Sequence, residues 1–229
     1  MNAMGLQAFD QVKQQTQVST DPKWNDYVRC VALPITKAAE SQTDIKNWDI
    51  VVFNDDKIVN AFALPGGKIG VYTGILKVAK TDAQLATVLA HETGHVIAKH
   101  GAERASQGLV EQVGIVGAQV GGATPVEMAA LGLGANVGIV LPFSRTQESE
   151  ADLIGLDLMA RAGFDPRQSI ELWHNMTAAA GSGPPQWLSD HPANQNRIDA
   201  LQAHLPDAIS KYDQAKAAGL APHCVAPQK

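Results

Sequence analysis

The run His91-Glu92-Thr93-Gly94-His95 constrains this chain more than any other stretch, because it lies inside a helix-compatible segment from Asp82 to His100. On a helix, residues four apart share a face, so His91 and His95 project their imidazoles side by side. Two nitrogens at that spacing can reach one metal ion, and Glu92 beside them can hold and deprotonate a water. The competing reading is a surface helix that carries two histidines and an acid by coincidence. Against it, Leu85, Val88, Leu89 and Val96 form one apolar stripe at about 100° per residue, and Glu92 falls within that stripe. A carboxylate facing a core is costly unless it is paired or sits near a cation, and a bound zinc ion supplies the cation. Lys99 also falls near the stripe, so the buried part is expected to end before it. Thr81-x-x-Gln84 fits a capping box at the start.

With 45% hydrophobic residues over 229 positions, the chain can bury one sizeable core. A single domain is expected over residues 4–222, with 223–229 as a tail. Met1-Asn2-Ala3 ahead of a second methionine reads as an appended remnant, compatible with removal of a targeting segment. Met1 to Asp10 has no basic stretch followed by an apolar run, so no signal peptide is expected. A net charge of −5 and a pI near 5.8 argue against nucleic acid as a partner. No segment reaches the ~20 apolar residues of a membrane span. Cys30 and Cys224 have no CxxC neighbours and are poor ligand candidates. In an oxidising compartment they could pair; the alternative is two unrelated thiols.

Taken in order, residues 5–18 and 22–40 read as helices whose polar faces suggest that they wrap the core. Residues 49–53, 58–64 and 69–73 read as short strands of an antiparallel meander, broken at Asn54-Asp55-Asp56 and Pro65-Gly66-Gly67. Asn60, Ala61, Phe62 and Ala63 are the candidate edge for an extended peptide bound by β-augmentation, an ordinary strand being the alternative. The Gly-, Ala- and Val-rich tract from Ser106 to Phe143 reads as a flap near the metal helix, able to contact substrate, a partner or a membrane surface. The alternative is packed helices with small residues at close contacts.

Ser144-x-x-Gln147 is a second capping box, and the helix it opens carries Glu148, Asp152 and Gly155 on one face, with Glu150 about 200° from Glu148. Glu148 is therefore the candidate third ligand. Asp152, one turn on, is the candidate acceptor for a ligand histidine, and Gly155 permits close approach of a neighbour. A solvated acidic face is the alternative. Gly163 ends that helix, and Asp165-Pro166 begins another to about Ala180. A Gly/Pro loop over 181–185 follows, and Pro192 holds His191 extended; from spacing alone His191 reads as structural. Past Pro206 the next helix is expected to fade into a Pro/Ala tail.

Four blocks occur in order: Asn60-Ala61-Phe62-Ala63-Leu64-Pro65-Gly66-Gly67, His91-Glu92-Thr93-Gly94-His95, Glu148-x-x-x-Asp152 and Ser189-Asp190-His191-Pro192. Together they resemble metallopeptidase family M48, which includes CAAX prenyl proteases, HtpX-type membrane proteases and mitochondrial Oma-type proteases. The resemblance covers roughly residues 48–205. It implies an α+β zincin of the gluzincin type, a single mostly helical domain with a small antiparallel sheet beside the HExxH helix. It implies one Zn²⁺ held by His91, His95 and Glu148, with Glu92 as general base and Asp152 orienting a ligand histidine. It also implies a catalytic His191 close to the zinc, either stabilising the transition state or occupying the metal at rest, and Arg197 as the arginine that follows that histidine. The chain departs from the prenyl and HtpX-type enzymes in carrying no transmembrane helices, and no tetratricopeptide repeats follow. It is closer to compact periplasmic members, some of them lipid-anchored. The expected function is zinc-dependent endopeptidase cleavage of unfolded or misassembled proteins, outer-membrane proteins among them, in periplasmic quality control. Peripheral membrane contact or a removed lipid anchor is compatible with it. The rival is a zinc-stabilised chaperone-like or scaffolding domain that binds such clients without cleaving them.

Overall fold

The computed structural model describes residues 2–104, 143–179, 185–192 and 194–227. The tract over 106–142 and the loop over 181–184, including the expected flap, lie outside the described residues. Helices α1 (Asn2–Gln15) and α2 (Pro22–Ala39) precede strands β1 (Asp49–Phe53), β2 (Ala61–Leu64) and β3 (Lys68–Tyr72). Then come α3 (Asp82–Ile97), α4 (Arg145–Arg161), α5 (Gln168–Ala179), α6 (Gln186–Asp190) and α7 (Gln195–Ala217). The α+β class with a small sheet beside the HExxH helix is borne out.

The sheet is mixed rather than the expected antiparallel meander. Its order is β1-β3-β2, with β1 parallel to β3 and β2 antiparallel to β3. The hairpin between β2 and β3 forms because Gly66 and Gly67 adopt φ of 86° and 75°, open to glycine at little cost. The 54–60 loop carries the chain across the sheet end to the far side of β3 instead of folding back beside β1. Tyr72 N–H donates to Asn60 O and Gly74 N–H donates to Asp55 O, which fixes that crossing. Of the two edge strands, β2 rather than β1 is the one that flanks α3.

Strand alternation sends Val51, Phe53, Phe62, Leu64 and Tyr72 toward α1, where they meet Phe9 and Val12. Val52, Ala61, Ile69 and Val71 face the main core with α2 and α3. Helix α2 contributes fully buried Val28, Val31, Ala32 and Ile35, so it forms the core rather than wrapping it. Helix α3 is buried on nearly every face, which explains why an apolar stripe understates it. Thr81 Oγ1 accepts from Gln84 N–H, while Gln84 Oε1 turns to Lys80 N–H instead of closing the box. Ser144 and Gln147 do close theirs at the start of α4. The last helix crosses Pro206 and continues to Ala217 rather than fading. Beyond it Cys224 is bonded to Cys30, and its N–H donates to Asp82 Oδ2 at the first turn of α3.

Candidate metal centre

Two glycines let α3 and α4 touch. A Cβ on Gly94 would lie 2.8 Å from Ala151 O, and one on Gly155 would lie 2.9 Å from His91 N. Any larger residue forces the helices apart. That contact sets Glu148 and Asp152 of α4 opposite His91 and His95 of α3. His191 arrives from the end of α6, where its N–H closes the short helix on Trp187 O.

One donor atom from each of His91, His95, Glu148 and His191 falls within 4.8 Å of the others, and all four residues are buried. His91 Nε2 lies 3.0 Å from His95 Nε2, 3.2 Å from His191 Nδ1 and 3.4 Å from Glu148 Oε2. His191 Nδ1 is 2.9 Å from Glu148 Oε1. The outer nitrogens are engaged elsewhere. His91 Nδ1 is at ion-pair distance from Asp152 Oδ1, 2.9 Å, without the alignment of a hydrogen bond, and His95 Nδ1 faces His100 Nδ1 at 2.9 Å, with His100 Nε2 3.2 Å from Glu150 Oε2. With both rings neutral and their protons placed outward, the two Nε2 lone pairs face one point across 3.0 Å, the form in which both can bind one cation. Glu148 Oε2 is buried and makes no hydrogen bond, although Arg197 Nη1 is at ion-pair distance, 2.7 Å. The donor set fits a metal ion.

The electrostatics point the same way. Burial would raise Glu148, but His191, His91 and His95 hold it far below the ordinary carboxylate range. Asp152, also raised by burial, is pulled down by Arg197 and His91. Burial would lower His91, yet Asp152 and Glu148 push it up to about 9. For His95 burial dominates, and the neighbouring His91 and His191 add to it. They drive His95 well below the ordinary imidazole value although Glu148 pulls the other way. Two ionised carboxylates therefore face a closed pocket, countered by Arg197 and by a proton on His91, and a cation bound at His91 Nε2 would take the place of that proton.

Arg197, 1% exposed, donates from Nε and Nη2 to both oxygens of Asp152 (2.6 and 2.7 Å) and from Nη1 to Pro192 O (3.1 Å). It thus ties α7 to α4 and to the segment that carries His191. Glu92 Oε1 accepts from Trp187 Nε1–H at 2.9 Å and lies 3.3 Å from His191 Nε2. Asn60 is buried, donating to Asp190 Oδ2 (3.0 Å) and accepting from Ala61 N–H (2.9 Å). Ala61, Phe62 and Ala63 lie on β2, with Phe62 turned away toward α1.

The structure thus brings His91, Glu92, His95, Glu148, Asp152, His191 and Arg197 into one cluster, with Asn60 at its border. Sequence reasoning missed His100 and Trp187, and it placed Glu150 on the face away from Glu148 without giving it a partner. For Trp187 the available signal was its place four residues before His191 in a short helix, which puts both on one face.

The family model described as Peptidase family M48 matches residues 22–205. A mitochondrial metalloendopeptidase OMA1 from Schizosaccharomyces pombe is 39% identical over 178 residues, covering 77% of this chain and 52% of that protein. The Saccharomyces cerevisiae OMA1 is 33% identical over 230 residues, 93% of this chain and 66% of its own length. The beta-barrel assembly-enhancing protease of Escherichia coli is 28% identical over 207 residues, 85% of this chain and 42% of its own. The chain spans about half the length of the first of these relatives.

Proposed function

The chain belongs to peptidase family M48, and on that premise we propose that it is a zinc-dependent endopeptidase acting on unfolded or misassembled proteins of the cell envelope. The observation that carries the proposal is the convergence of His91, His95, Glu148 and His191 beside the buried carboxylate of Glu92. His91, His95 and Glu148 are the resident ligands, with Asp152 and Arg197 fixing the orientation of His91. Zinc, when bound, supplies the Lewis acidity that polarises the scissile carbonyl and eases deprotonation of the attacking water. Glu92 takes that proton and passes it to the leaving amine.

His191 is assigned to the developing oxyanion, where an imidazole N–H can donate. The segment that carries it is held at three points: Trp187 main-chain N–H donates to Val59 O, the Asn60 amide donates to the Asp190 carboxylate, and Arg197 donates to Pro192 O. Rotation of its ring alone would take His191 out of the set of four donors, an arrangement we assign to the resting enzyme. The β2 edge at Ala61 and Ala63 receives the substrate as an added strand. The Cys30–Cys224 disulfide supports an oxidising compartment, which we take to be the periplasm. Among the described residues no helix is long and apolar enough to cross a membrane.

Four convergent protein groups are also what a closed structural zinc site presents, and a scaffold that holds clients uncut would use one. A structural site has no use for a positioned carboxylate such as Glu92. The test is zinc content together with cleavage of unfolded casein, comparing wild type with Glu92→Gln. Zinc in both proteins and a loss of turnover of ~100-fold or more in the variant is the expected result. Zinc in both with equal cleavage removes Glu92 as base, and a well-folded protein without zinc overturns the reading.

A further inference from the structure

We propose that Trp187 is a positioning residue for Glu92: its indole N–H grips one carboxylate oxygen and so sets the direction in which the base presents the other. The inference rests on the reading of Glu92 as general base. Trp187 Nε1 lies 2.9 Å from Glu92 Oε1, with the two residues only 1% and 3% exposed. A buried carboxylate needs donors, and one fixed donor on Oε1 arrests rotation of the carboxylate about its last bond. The depth of the ring is itself fixed. Trp187 main-chain N–H donates to Val59 O at 3.0 Å, and the ring packs against Trp173 at 5.4 Å and His91 at 5.5 Å between centroids.

The chemistry of the donor matters. Indole is a donor only and does not release its proton in the working pH range. It can therefore hold a base without competing with substrate water as a proton source, which an imidazole in the same place would do. His191 Nε2, at 3.3 Å, is the other group beside Oε1. If its ring turns toward an oxyanion, Trp187 is the contact that stays.

The experiment uses the full chain with metal bound. The protein has four tryptophans, Trp24, Trp48, Trp173 and Trp187, so its indole N–H resonances can be resolved and that of Trp187 identified by its loss in Trp187→Phe. Glu92→Gln is expected to move the Trp187 resonance and leave the other three in place, a result that does not depend on turnover; an unmoved resonance overturns the contact. In Trp187→Phe with metal content and fold intact, kcat is expected to fall about tenfold or more with KM within about twofold. In a Glu92→Gln background the same substitution should cost nothing further, because its effect runs through that carboxylate. Equal losses in both backgrounds, or full kcat in Trp187→Phe beside a slow Glu92→Gln, overturn the positioning role alone. A Glu92→Gln enzyme as fast as the parent overturns the base assignment and the role of Trp187 with it.

Discussion

At the scale of residues, the candidate metal centre was legible where helical geometry alone decides it and illegible where the chain breaks that geometry. His91, His95, Glu148 and Asp152 sit at spacings that a regular helix maps onto one face, and they meet as expected. His100 does not follow that rule. Five positions beyond His95 on an unbroken helix, it would point about 140° away. The helix ends instead at Ile97, and Lys99, with φ of 60°, turns the chain and returns His100 to His95 Nδ1. A lysine in the left-handed region has no sequence signature comparable to glycine's, so the return could not be read. Glu150 was rightly placed on the face away from Glu148, and that face is where His100 waits. With His95 Nδ1–H assigned as donor to His100 Nδ1, the tautomer that leaves His95 Nε2 for a metal, His100→Ala should weaken metal binding about 10- to 100-fold. Competition with a chromophoric chelator measures it, and an unchanged affinity would show that the contact is idle.

At the scale of elements, caps and close approaches were readable, and pairings across the fold were not. Gly155 on the Glu148 face announced a close neighbour, and α3 is that neighbour. The sheet order was hidden because strand periodicity is the same for parallel and antiparallel partners, and only the tight Pro65-Gly66-Gly67 turn carries direction. Side-chain clasps between helices were equally hidden. Asp157 of α4 holds Lys211 of α7 at 2.9 Å and Arg161 Nε at 2.7 Å, while Arg161 Nη1 reaches Ala38 O of α2 at 3.1 Å. Burial would raise Asp157, but Lys211 and Arg161 hold it below its ordinary value. The folded state then binds fewer protons than the unfolded one near that value. The clasp's stability is complete above the unfolded pKa of about 3.9 and is lost as pH falls through the lower folded value. Asp157→Asn should cost about 1 kcal/mol or less near neutrality, since the pair is partly exposed, and the gap to wild type should close below about pH 4. Urea titrations at about pH 7 and about pH 3 check this; a gap that widens in acid would contradict the assigned sign.

At the scale of the whole molecule, what could not be read was where the chain ends come to rest. Two cysteines 194 residues apart say nothing about proximity until α2 and the segment after α7 are both placed. In the fold, Cys30 on α2 and Cys224 close a loop that encloses the sheet, the helix carrying His91 and His95 and the helix carrying Glu148 and Asp152, and Cys224 N–H rests on Asp82 at the head of α3. A cross-link over so long a loop removes much of the unfolded chain's freedom, worth about 5 kcal/mol in the chain-entropy treatment, with about 2–5 kcal/mol the usual measured range. Neither sulfur belongs to the metal cluster, so the bond bears on stability rather than on the donor set. Cys30→Ser with Cys224→Ser should therefore lower the unfolding free energy by about 2–5 kcal/mol. It should also loosen the segment beyond Ala217 toward proteolysis and leave metal affinity unchanged. Denaturant titration with and without reductant, read beside chelator competition, separates these effects. Equal stability of oxidised and reduced protein would mean that packing of the last segment, with Cys224 seated beside Asp82, holds the ends together without the covalent bond.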